Sequence, residues 1–282
     1  SSMAAPCCPP DSLPPAPPSA GPRAGSIITL APEGVDPIEA YLVGDPTAKT
    51  TTKAVFVYTD VFGFAKGRHR LFCDQLQEAL GDDTCVVMPD FFRGFPILNP
   101  YESLPEKVGL MLAVPGMLYR LKYVYTKPER PVMRDVKALL PWLHDHDISQ
   151  FGCAGFCFGG WCVAESLSLP NTPFSCGVGM HPSFNVSKMY GGTEEEVAKG
   201  VGSSPILLLP AGNDSASVKP GGGSTGILAK ARGVAEESVS RPFADMVHGW
   251  MTRGDENDPL VARDQRLTME LCSSFLKEHM VA

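Results

Sequence analysis

The sequence predicts an α/β protein, a mostly parallel central sheet with helices on both faces. Three observations carry this. From residue 54 onward, short apolar runs alternate with helix-patterned segments; runs apolar at every position indicate strands buried on both faces, as parallel strands between helices are. A chain of 282 residues that is 44% hydrophobic can fill one substantial core, and alternating strands and helices often occupy this length as a single domain. Finally, residues 155–159 read Gly-Phe-Cys-Phe-Gly between an apolar run and a helix-like stretch, the pattern of a strand that turns sharply into a helix.

Taken in order, residues 1–25 are proline-rich, with Cys7-Cys8-Pro9-Pro10 and Pro14-Pro15-Ala16-Pro17-Pro18. That composition resists helix and sheet and reads as a disordered or polyproline tail. Ser1-Ser2 ahead of Met3 read as an appended dipeptide. One domain is expected over 26–282. It opens with short strands at 27–30 and 38–43 around a turn-like Pro32-Glu-Gly-Val-Asp-Pro37. Buried strands follow at 54–58, 84–88, 151–155, 174–180, 206–209 and 239–243. Helices are expected at 67–80, 106–123, 130–144, 158–167, 226–238 and 259–280, with Pro115 and Pro141 marking kinks. The glycine-rich 220–226 reads as a mobile loop, because it lacks the lysine of a phosphate loop.

The composition excludes several functions. A net charge of −7 offers no basic footprint for nucleic acid, and no apolar run approaches the roughly 20 residues of a membrane helix. Nine cysteines, an odd number without tight spacing, fit a reducing compartment, and no secretory n-region or h-region is visible. A cytoplasmic protein, monomer or weak homodimer, is expected.

The chemistry concentrates at Gly155-Phe-Cys-Phe-Gly-Gly160. A sharp turn there needs residues without Cβ at Gly155 and Gly159, and it holds Cys157 at the tip, beside the N-terminus of the following helix. The N–H groups and partial positive charge of that end favour a thiolate and can bind an oxyanion. A buried, inert thiol is the plainer reading of a cysteine; the position in the turn favours a nucleophile. Downstream come Asp214, after the run 206–210, and His248 in Val-His-Gly-Trp, so nucleophile, acid and base occur in that chain order. His248 would act as general base and then as acid. Asp245 competes with Asp214 for the acid; Asp214 is preferred because it directly follows its own strand. Cys153 and Cys162 should point away from Cys157, and no metal site is expected. His144 and His146 read as solvated residues at a helix end. In an open α/β sheet, ligands bind beyond the carboxyl ends of the strands, a rule that collects Asp60, Arg93, Cys157, His181, Asp214 and His248 at one edge.

Together, Thr59-Asp-Val-Phe-Gly63, Pro89-Asp-Phe-Phe-Arg-Gly94, Gly155-Phe-Cys-Phe-Gly-Gly160, Gly179-Met-His-Pro-Ser183, Gly212-Asn-Asp214 and His248-Gly-Trp resemble the dienelactone hydrolase family, whose founding members are carboxymethylenebutenolidases. The resemblance spans about residues 26–280. It implies an α/β-hydrolase fold and a Cys157, Asp214, His248 triad acting on lactones or small esters without a cofactor. It further implies an oxyanion hole from the backbone N–H groups of Phe158 and Val61. Asp60 stands where the bacterial enzymes carry a glutamate that meets the resting cysteine. Arg93 and Arg253 match the family's two substrate-carboxylate arginines with each displaced by a residue, and His181 and Trp250 complete the expected auxiliary positions. The rival reading is a thiol-reactive or ligand-binding protein that retains the scaffold without efficient turnover.

Overall fold

The structure is a computed structural model that describes residues 8–94, apart from 10 and 19, and 131–280. Seven strands form one sheet in the order β1-β2-β4-β3-β5-β6-β7. They are β1 (Ser26–Leu30), β2 (Ile38–Val43), β3 (Lys53–Tyr58), β4 (Thr84–Pro89), β5 (Gln150–Phe156), β6 (Phe174–Met180) and β7 (Ile206–Leu209). β1 and β2 pair antiparallel with each other, β2 pairs antiparallel with β4, and every remaining pairing is parallel.

The helices are α1 (His69–Leu80), α2 (Pro131–His144), α3 (Phe158–Leu167), α4 (Glu194–Val201), α5 (Gly223–Arg232), α6 (Trp250–Arg253) and α7 (Pro259–His279). They cover both faces of the sheet. Along β3, Ala54, Phe56 and Tyr58 point into one apolar cluster with α2, α3, α4 and α5. Val55 and Val57 point into a second, with α1, α6 and α7. Side chains alternate across a strand, so β3 is buried on both sides; this is why its sequence is apolar throughout.

Three expectations are corrected. Residues 239–243 form no regular strand: only the isolated bridges Leu208–Ser240 and Ala211–Phe243 continue the sheet beyond β7. Between them Pro210 has no N–H to offer the Arg241 carbonyl, although its own carbonyl accepts from Phe243 N–H (2.8 Å), which breaks the ladder. The helix expected at 226–238 instead begins at Gly223, inside the segment read as a loop, and stops at Gly233, whose φ of 68° departs from the helix. A separate 3-10 turn then spans Glu236–Ser238. α4 was not anticipated, although Thr193 and Glu196 form a reciprocal capping box at its start. The helix expected at 106–123 lies outside the described residues.

The proline-rich segment also differs from a free tail. Its described part lies along the domain: Leu13 N–H donates to the His248 carbonyl (3.0 Å), and Gly67 N–H donates to the Ala16 carbonyl (2.9 Å). Leu13 packs against the α1 and α7 side of the core. Apart from a turn in which Ser12 N–H and Oγ donate to the Pro9 carbonyl (3.1 and 2.6 Å), prolines favour an extended backbone, which leaves carbonyls and N–H groups of the segment for the domain. Among the described residues, no helix is long and apolar enough to cross a membrane.

Candidate active site

The turn between β5 and α3 explains its own sequence. A Cβ on Gly155 would come within 2.3 Å of the Gly159 carbonyl oxygen, and one on Gly159 within 2.3 Å of the Tyr58 carbonyl oxygen. Neither position accepts a side chain, because backbone is in the way. Between them Cys157 adopts φ 55° and ψ −115°, a conformation that non-glycine residues rarely hold and that persists where surroundings over-determine it. Those surroundings are backbone hydrogen bonds: Cys157 N–H donates to Met180 O (3.1 Å), and Cys157 O accepts from Gly160 N–H (2.9 Å) and Ser183 N–H (3.0 Å). β6 thereby locks the turn. Phe158 is the first residue of α3, so its N–H has no intrahelical acceptor. Neither Phe158 N–H nor Val61 N–H donates to a backbone carbonyl among the described residues.

His248 arrives from the loop after 239–243. Its N–H donates to Asn213 Oδ1 (2.7 Å), and its Nδ1 meets Asp214 Oδ1 at 2.5 Å. The other Asp214 oxygen accepts from Ala211 N–H at 2.7 Å, so the carboxylate is fixed at the end of β7. Asp245 is exposed. With Nδ1 turned to Asp214, Nε2 is left toward the sulfurs: one ring nitrogen of His248 and the Cys157 and Cys8 sulfurs all lie within 4.8 Å of one another. Burial works against a charged imidazole, but Cys157 and the hydrogen bond that the imidazole donates to Asp214 outweigh it and raise the His248 pKa well above its ordinary value. Cys157 and His248 are both buried.

Two contacts to the cysteine were not visible in the sequence. Ser183 Oγ donates to Cys157 Sγ at 3.5 Å. The sulfur of Cys8, from the proline-rich segment, lies 3.6 Å from that of Cys157. Ser183 could have been suspected from its place just past β6; nothing local marked Cys8.

The auxiliary positions separate. Asp60, fully buried, meets Arg253 Nη1 at 2.5 Å, and its other oxygen accepts from Phe62 N–H (3.0 Å). Burial alone would raise the Asp60 pKa, yet His69, 3.6 Å away, and Arg253 hold it below its ordinary value. Arg253 lies over the Phe62 ring at 4.7 Å, and its Nε and Nη2 are buried without a hydrogen-bond partner among the described residues. Arg93 is engaged elsewhere: it grips Asp135 of α2 with both terminal nitrogens (2.6 and 3.2 Å) and donates to the Asp36 carbonyl (3.0 Å). His181 is buried with φ 37° and packs edge-on to His248, ring centroids 4.9 Å apart. Desolvation, with the neighbouring His248, depresses its pKa well below the ordinary value, which keeps it neutral. Trp250 packs against Phe243 in the core.

The arrangement is a buried thiol at a helix N-terminus, an imidazole oriented by a carboxylate, and two N–H groups at the same end of the sheet. No match is found among curated proteins. Solved structures share the fold at low identity. Pyrococcus horikoshii acylaminoacyl peptidase superposes with a TM-score of 0.60 at 13% identity over 92% of this chain, which spans only 43% of that protein's length. The Pyrococcus furiosus esterase Pf2001 gives 0.56 at 14% identity, covering 96% of this chain and 99% of that one. Est1E from Butyrivibrio proteoclasticus gives 0.56 at 11%, covering 90% and 98%. All have the α/β-hydrolase fold. A model of the dienelactone hydrolase family matches residues 38–280, a span that holds every element from β2 to α7, and the chain therefore belongs to the dienelactone hydrolase family.

Proposed function

We propose that the protein hydrolyses lactones or small carboxylic esters through an acyl-enzyme on Cys157. Family membership and the esterase-like fold support a hydrolase of esters or lactones; the cysteine mechanism is our own reading. The observation that carries it is the position of Cys157 in the strained turn, with the Asp214-bound imidazole of His248 beside it.

In this mechanism the Cys157 sulfur, as thiolate after His248 takes its proton, adds to the substrate carbonyl. Phe158 and Val61 N–H groups hold the resulting oxyanion. His248 then gives its proton to the leaving alkoxide, which departs, or in a lactone stays tethered through the acyl chain. Asp214 keeps the imidazole in the tautomer with hydrogen on Nδ1 and stabilises its charged form. A water molecule, deprotonated by His248, attacks the thioester; the carboxylic acid leaves and Cys157 is regenerated. The two buried nitrogens of Arg253 that have no partner among the described residues fit a substrate carboxylate, which a guanidinium binds through paired charge-assisted hydrogen bonds. Arg93, already engaged by Asp135, has no part in this reading.

The test is a screen over lactones, aryl esters and thioesters with wild type and Cys157→Ala. Multiple turnovers in wild type, absent from Cys157→Ala, are expected; Asp214→Asn should lower activity far more than Asp245→Asn. A single stoichiometric modification of Cys157 without turnover would favour a thiol-reactive protein, and a Cys157→Ala variant with wild-type kcat would remove the cysteine from the mechanism.

A further inference from the structure

We propose that Cys8, Cys157 and His248 form a binding site for a thiophilic divalent cation, best matched by Zn2+, which the N-terminal segment completes. The inference uses Cys157 and His248 as ligands and does not depend on whether they turn over a substrate.

The geometry comes first. Two thiolates on a tetrahedral zinc with bonds of about 2.3 Å stand about 3.8 Å apart, and the Cys8 and Cys157 sulfurs are 3.6 Å apart. A ring nitrogen of His248 lies within 4.8 Å of both; zinc geometry would place it about 3.5 Å from each sulfur. Closing that gap takes an ångström or so of side-chain adjustment. Tail residues can supply it, because Cys8 belongs to no helix or strand.

The chemistry agrees. His248 Nε2 is buried and, the two sulfurs apart, has no hydrogen-bond partner among the described residues, so no other group competes with a metal for it. Nδ1 is bound to Asp214, which reproduces the carboxylate–histidine–metal arrangement that orients a ligating imidazole and raises its basicity. Soft sulfur with imidazole selects zinc over magnesium or calcium. Two thiolates and a neutral imidazole balance a divalent charge, so the buried complex is electrically neutral. On binding, the thiol protons leave to solvent; no oxidation is involved. Three protein ligands leave a fourth position for water. The consequence is direct: a metal held there occupies both the nucleophile and the base, so the metal-loaded protein is the silent form and a chelator releases it.

The experiment uses the reduced full-length chain and Co2+ as probe, read by thiolate-to-cobalt charge-transfer absorption, with Zn2+ as competitor. One equivalent is expected. Cys8→Ser and Cys157→Ala should each weaken binding by more than the roughly 10- to 100-fold that loss of an outer-shell partner costs, while Asp214→Asn should fall within that range. Cys8→Ser should also lower the charge-transfer intensity, and Cys7→Ser should leave affinity unchanged. Circular dichroism verifies that each variant is folded. The proposal is overturned if the reduced chain binds no cobalt, if Cys8→Ser binds as tightly as wild type, or if Cys7→Ser abolishes binding while Cys8→Ser does not. An inactive chain that still binds cobalt through Cys8 would sink the hydrolase reading and leave this one standing.

Discussion

The loops that follow the neighbouring strands β3 and β4 are built alike and end up electrically opposite. Each opens with an aspartate whose carbonyl accepts an N–H three residues on: Gly63 to Asp60 at 3.0 Å, Arg93 to Asp90 at 2.9 Å. In each, a carboxylate oxygen accepts the N–H two residues on, from Phe62 and Phe92. Both aspartates are buried. The difference is tertiary. Asp60 faces His69 and Arg253, and their attraction outweighs burial, so its pKa falls. Asp90 is offered mainly backbone N–H groups, with Glu39 nearby, and burial raises its pKa. The same local turn thus makes a firmly charged carboxylate at the site and a reluctant one beside it; the partners supplied from α1 and α6, not the loop sequence, decide which.

The comparison is broken most severely by removing that partner. Arg253→Met leaves the buried Asp60 with His69, 3.6 Å away, as its remaining basic partner, and should cost about 3 kcal/mol of stability in denaturant unfolding. Adding Asp60→Asn to it should recover part of the loss, since the stranded charge is what costs most; a double variant less stable than the single would show the pair is not the source. Arg93→Met serves as the contrasting cut. Its pair with Asp135 is partly solvated on the arginine side, 14% against 1% exposed, and the loss should be smaller, about 1.5 to 3 kcal/mol. With an anionic lactone and a neutral ester of similar size, Arg253→Met should lower kcat/KM selectively for the anion, whereas Arg93→Met should treat both alike. Selective loss in Arg93→Met would exchange the two roles.

The smallest effect is the pH dependence, and its sign differs between the loops. Asp60, with its pKa depressed, contributes stability that is present above the ordinary value of 3.8 and is lost as the pH falls through its lower folded value. Asp90, with its pKa raised, binds its proton more tightly when folded; its contribution is complete below 3.8 and is lost as the pH rises through the higher folded value. Difference curves of unfolding free energy against pH should therefore bend below 3.8 for Asp60→Asn and above it for Asp90→Asn. Both bending on the same side would mean that the two carboxylates are not opposed.

The parts of this molecule that could be read from its sequence are those whose constraint is local. The glycines at 155 and 159 are required by backbone atoms within 2.3 Å, so their spacing announced the turn and its cysteine. β3 to β7 were legible because strands buried on both faces are apolar throughout. Asp214 and His248 were legible as an order along the chain, with Asp214 marked by the end of β7. What escaped detection depends on distant partners. Asp135 meets Arg93 across 42 residues and Cys8 meets Cys157 across 149; neither residue is unusual in its own neighbourhood. The expected strand at 239–243 failed for the opposite reason, since apolar content was counted and the missing N–H of Pro210, just past β7, was not.

That failed strand has a consequence for assembly. A sheet grows by offering a row of unpaired N–H and C=O groups to another chain. At the β7 border those groups are already occupied: Leu208 N–H and O bond to Val239 O and Arg241 N–H, and Pro210 O accepts from Phe243 N–H. The covering segment is irregular and interrupted by proline, so it presents no continuous row of its own. Two copies of this protein cannot join through β7 to make a longer sheet; any pairing between subunits at that border has to be made by side chains.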